Sequence, residues 1–66
     1  MQIAVNGEPR NAPEGATVLE LLHALGIDPQ RVAVELNRSI VRQPEWPGTI
    51  VSPGSQVEIV QFVGGG

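Results

Sequence analysis

The chain has 66 residues, about 7.0 kDa, with seven acidic residues against four Arg and no Lys, a formal charge of -3. One small domain fits that length, and an enclosed active site of enzyme size does not. The acidic balance argues against nucleic acid as a partner. The absence of Cys removes a disulfide framework, a thiol nucleophile and a thiolate metal site, and is in keeping with a reducing compartment. The opening residues lack a basic region and a long apolar run, and nowhere do eighteen apolar residues follow one another, so the expectation is a cytoplasmic protein without a membrane segment. His23 is the sole histidine, and no His and carboxylate set has metal-ligand spacing.

Met1, Ile3 and Val5 alternate with Gln2 and Ala4, as in a strand with one apolar face. Asn6-Gly7 suits a type I′ turn, so the chain is expected to return as an antiparallel strand over Glu8 to Ala12. Pro9 has no N–H to give a ladder and belongs on an edge or at an irregularity.

Thr17-Val18-Leu19-Glu20 matches a capping box at the head of a helix whose apolar face carries Val18, Leu21, Leu22 and Leu25. Gly26 can close that helix in the left-handed region, and Asp28-Pro29 discourages its continuation. His23 falls at the helix margin with no nucleophile to serve, so a surface role is the better reading.

Val32, Val34 and Leu36 share a face of the next strand, Asn37 begins a turn, and Ser39-Ile40-Val41 returns briefly. A short helical turn is expected around Glu45-Trp46, amid Pro44, Pro47 and Gly48. Trp46 either closes the core margin or anchors an interface. Arg10, Arg31, Arg38 and Arg42 do not define a basic patch, and solvated surface positions are the default for them. Pro53-Gly54 marks another turn, before a final strand from Val57 to Val63.

A hairpin and an amphipathic helix each leave an apolar face wet, which packing the helix across one face of a mixed sheet resolves. The expected class is α+β, with four or five strands and one main helix on one face. If Val57 and Ile59 face the helix, then Glu58, Val60 and Phe62 lie on the opposite, uncovered face and are candidates for partner binding. A β-bulge that turns Phe62 inward is the competing register. Gly64-Gly65-Gly66 follows as a tail beyond a domain of residues 1 to 63, able to pass through a narrow channel or simply to fray.

Taken together, Gln2-Ile3-Ala4-Val5-Asn6-Gly7, Thr17-Val18-Leu19-Glu20-Leu21-Leu22, Val32-Ala33-Val34-Glu35-Leu36-Asn37, Ile40-Val41 with Trp46, and Val57-Glu58-Ile59-Val60 through Gly66 resemble the ThiS sulfur-carrier family over nearly the whole chain. The resemblance implies a ubiquitin-like β-grasp fold and a sulfur carrier for the thiazole part of thiamine, a cosubstrate rather than an enzyme. It places adenylation and sulfur attachment on the Gly66 carboxyl group, with Gly64 and Gly65 as the tail that enters the activating site. It also implies a ThiF-like adenylyltransferase that uses ATP, a cysteine desulfurase or sulfur relay, and the thiazole synthase ThiG as partners. No cofactor is bound by the chain itself, and the free carrier is expected to be a monomer. The terminal diglycine is shared with molybdopterin-synthase small subunits and ubiquitin-like modifiers, which stand as the alternatives. The chain's own residues agree with a passive role in activation: it has no Gly-rich phosphate loop followed by Lys and Ser or Thr, and no paired nucleophile and base.

Overall fold

A computed structural model describes residues 1 to 62. Val63 at the end of the expected last strand, and the tail residues Gly64, Gly65 and Gly66, lie outside the described residues. In chain order the elements are β1 (Gln2–Val5), β2 (Glu8–Asn11), α1 (Val18–Ala24), a 3-10 turn (Pro29–Arg31), β3 (Val32–Leu36), β4 (Ser39–Val41), a second 3-10 turn (Gln43–Gly48) and β5 (Gln56–Gln61).

Asn6 and Gly7 both take positive φ, 51° and 81°, which gives the two-residue I′ connection that pairs Val5 with Glu8 and Ile3 with Arg10. The return strand is Glu8–Asn11, and the buried Ala12 extends its pairing by one step, its N–H donating to the Met1 carbonyl at 2.8 Å and its own carbonyl accepting from the Met1 amino group at 2.7 Å. β2 is an edge strand, so Pro9, opposite Ala4, deprives no further neighbour of a hydrogen bond.

The capping box forms in full: the Glu20 N–H donates to Thr17 Oγ1 at 3.2 Å and the Thr17 N–H to Glu20 Oε1 at 2.9 Å. At the other end Gly26, at φ 72°, lets its own N–H reach the His23 carbonyl at 3.1 Å and the Ile27 N–H reach that of Leu22 at 2.9 Å. That pair of bonds is the Schellman closure, and Ile27 then packs against the core.

The five strands form one sheet in the order β2-β1-β5-β3-β4. β1 and β5 run parallel at its centre, with Val5 beside Val57, and the other neighbours are antiparallel. Parallel neighbours require a crossover, which the intervening α1 and β3-β4 hairpin supply. The core lies between α1 and one face of the sheet. Val18, Leu21 and Leu22 of the helix meet Ile3, Val5, Val32, Val34 and Val57 of the strands, while Leu25, Leu36 and Ile59 are partly buried at the rim.

Trp46 resolves to the core reading. It is 2% exposed, and its Nε1–H donates to the Val41 carbonyl at 2.8 Å, so the proline-rich 3-10 turn folds back as a lid on α1 and β4. Val51 and Ala16 complete that end, joined by a Val51 N–H bond to the Ala16 carbonyl at 2.8 Å. Among the described residues no buried side-chain nitrogen or oxygen lacks a hydrogen-bond partner.

Candidate functional site

β5 carries the candidate site because it is the strand from which the tail departs. Among the described residues it spans Gln56–Gln61, beginning one residue before the expected Val57, and Phe62 continues its ladder by one bond, donating its N–H to the Arg31 carbonyl at 2.8 Å. Residues of even number from 56 to 62 direct their backbone groups to β3, and those of odd number to the β1 side. Val57 is buried and Ile59 half-buried under the helix, so Glu58, Val60 and Phe62 fall on the uncovered face. Val60 is 59% exposed and Phe62 58%. The inward register for Phe62 is therefore not the one adopted: there is no bulge in the β3-β5 pairing, which runs unbroken from Val32↔Gln61 to Leu36↔Val57.

The register also assembles neighbours that no local pattern names. Ala33 stands across from Val60, Glu35 across from Glu58, and Ile40 of β4 across from Glu35. Ile40 is 75% exposed. The uncovered face thus presents Ile40, Ala33, Val60 and Phe62 around two carboxylates that sit directly opposite each other on adjacent strands. Like charges in that relation repel. The salt bridge found among the described residues, Asp28 with Arg31 at 3.5 Å, is solvent-exposed at both ends and sits beside Phe62, at the far end of the sheet from Glu35 and Glu58.

Alternation around Val34 would have placed Glu35 outward, and the return strand would have placed Ile40 with it, but only the pairing of β3 with both β4 and β5 brings them beside Glu58. Ile50, 62% exposed, bridges Thr17 away from this sheet and is a separate surface aliphatic. A groove on the helix side is lined by apolar residues that include Val5, Leu25, Ile27 and Ile59, and by Asn6, Glu8 and Arg10 among its polar ones. His23 is exposed on α1, and among the described residues no group of three or more His, Cys, Asp or Glu is placed to hold a metal ion. No helix among those residues is long and apolar enough to cross a membrane.

A mixed sheet with parallel central strands and one helix across one face is the ubiquitin-like β-grasp arrangement. The family model for ThiS matches residues 3 to 66, and the chain belongs to the ThiS family. It is 35% identical to the sulfur carrier protein ThiS of Escherichia coli, with all of both chains covered. It is 42% identical to a thiazole synthase of Magnetococcus marinus and 44% to one of Paramagnetospirillum magneticum. The chain is covered completely in both matches but spans 20% of the length of those two relatives. Among solved structures, a crystal structure of the thiamine biosynthesis protein ThiS from Geobacter metallireducens superposes with a TM-score of 0.87 at 38% identity, with full coverage of both chains.

Proposed function

We propose that the protein is a sulfur carrier for thiazole formation in thiamine biosynthesis, a cosubstrate whose reactive group is the carboxyl of Gly66. The observation that carries this reading is the conjunction of the ThiS-family β-grasp with a sequence that closes on Gly64-Gly65-Gly66 shortly after β5. A carboxylate is a poor electrophile. Attack of its oxygen on the α-phosphorus of ATP, in a ThiF-like adenylyltransferase, releases pyrophosphate and gives an acyl adenylate with AMP as leaving group. The outer sulfur of a cysteine persulfide, supplied by a desulfurase or a relay, then displaces AMP at the acyl carbon to give an acyl disulfide. A second thiol attacks the donor's sulfur of that disulfide, so that the thiocarboxylate leaves and the two thiols end as a disulfide. The resulting thiocarboxylate delivers sulfur to a thiazole synthase of the ThiG kind. The likeness of this chain to a fifth of two proteins named thiazole synthase supports that acceptor over a molybdopterin-synthase partner.

In this reading Gly64 and Gly65 matter for what they lack: without a Cβ, the segment threads a confined activating site. Glu58, Val60 and Phe62 dock the partner, and the face extends through Glu35 and Ile40. A partner that brings an Arg or Lys between the two carboxylates relieves their repulsion on binding, a gain unavailable to the free carrier.

The test is intact mass after incubation with the cognate adenylyltransferase, ATP and a sulfur donor. Wild type should gain the mass difference between sulfur and oxygen, located to the Gly66 residue, with sulfur subsequently found in thiazole. Deletion of Gly66, or addition of one Ala after it, should abolish the gain even where docking persists, because each displaces the carboxylate from the activating site. Near-normal thiocarboxylate formation by both variants, untrimmed, would overturn the assignment of Gly66. A product joined to an amine of another protein would identify a modifier instead.

A further inference from the structure

β1 ends before β5 does. The last backbone bond between them is the Asn6 N–H to the Val57 carbonyl at 2.8 Å, after which the chain swings into the Asn6-Gly7 turn. The next outward-directed groups on that side of β5 belong to Ile59, and the Asn6 carboxamide meets both. Its Oδ1 accepts from the Ile59 N–H at 2.8 Å, and its Nδ2 donates to the Ile59 carbonyl at 3.2 Å. One side chain thereby stands in for a further residue of β1, across 53 positions of sequence. These bonds are solvent-exposed, so water could satisfy the same groups and their net contribution to stability is small. Water cannot hold the strand in place. The carboxamide fastens β5 to the hairpin tip three residues before Phe62, beyond the last backbone pair.

We propose that Asn6 is a positioning residue for the carrier reaction: β3 holds one edge of β5 as far as Phe62, and the Asn6 carboxamide holds the other edge past Val57, so that together they set the direction from which the segment after Phe62 is delivered to the activating partner. This rests on the carrier reading of Gly66. Asn at the first position of a I′ turn is also accounted for by its tolerance of positive φ, and the two roles can be separated because Gly serves the turn equally well while lacking the carboxamide. Asn6→Gly therefore keeps the hairpin and removes the clamp. Asn6→Asp keeps an acceptor for the Ile59 N–H but sets a carboxylate against the Ile59 carbonyl.

The experiment measures pyrophosphate release with the cognate adenylyltransferase and ATP, docking of the carrier to that enzyme, and hydrogen exchange at the Ile59 amide. For Asn6→Gly, docking should stay within about twofold of wild type while kcat falls roughly five- to tenfold, since misplacement of a reacting group by about 1 Å costs up to 10²-fold. Exchange at Ile59 should quicken, and Asn6→Asp should fall between wild type and Asn6→Gly in both readouts. An unchanged kcat for Asn6→Gly, or a loss confined to docking, overturns the positioning role while the wild type still loads. Absence of pyrophosphate release from the wild type itself, with a competent enzyme, sinks the carrier reading and the clamp's role with it.

Discussion

Replacing Phe62 with Ser separates docking from folding, because the side chain divides its surface between the two. A Phe side chain exposes about 200 Å² when fully uncovered. With 58% of the residue exposed in the free protein, roughly 115 Å² is left for a partner to cover, worth at most about 3 kcal/mol at ~25 cal/mol per Å². That is up to about a hundredfold in Kd. The remaining area, about 85 Å², is covered within the domain, and after allowance for a compact denatured state its loss costs about 1 to 2 kcal/mol. A domain with about 5 kcal/mol of stability would stay more than 99% folded after that loss, so unfolding cannot account for the expected binding defect. Titration calorimetry against the adenylyltransferase and against the thiazole synthase, with urea unfolding of the same samples, gives both numbers. A folded variant that binds both partners within twofold of wild type would refute the docking role. A stability loss above about 3 kcal/mol would show instead that Phe62 is packed inside the protein in solution.

Three further outcomes are expected. Glu58→Gln should raise the stability of the free carrier by about 0.2 to 1 kcal/mol by ending its opposition to Glu35, yet weaken docking and flatten its salt dependence; urea unfolding and binding at two ionic strengths check the opposite signs. Arg38→Gly should stabilise by about 0.5 kcal/mol in the same unfolding assay, since Arg38 sits at φ 73° and relief of left-handed strain of about 1 to 2 kcal/mol outweighs the added freedom of an unfolded Gly. Trp46→Phe should destabilise by about 2 to 3 kcal/mol, through loss of the Nε1–H bond to Val41 and a cavity beneath the 3-10 turn, with no direct effect on docking of the protein that remains folded.

What the sequence determined by itself was local. The I′ turn at Asn6-Gly7, the capping box at Thr17 and Glu20, the glycine closure at Gly26 and the alternation of Val32, Val34 and Leu36 each depend on residues a few positions apart, so the chain states them directly. The diglycine and the family resemblance were legible for a similar reason, as an uninterrupted series of residues. Tertiary structure decided whatever depends on pairing between distant strands. Strand period places Phe62 opposite Ile59 but cannot say whether a bulge intervenes, and the unbroken β3-β5 register is what leaves Phe62 uncovered. The adjacency of Glu35 and Glu58 joins residues 23 positions apart, and Trp46 became a core residue only once its turn folded back to reach the Val41 carbonyl. The Asn6 carboxamide had a sufficient local explanation in its turn, and its bonds to Ile59 exist because two parallel strands meet at the sheet centre and one of them ends first. Short-range patterns are fixed by backbone sterics and capping chemistry within a turn or two, whereas the docking face follows from strand order and register, which only the closure of the whole sheet over the helix establishes.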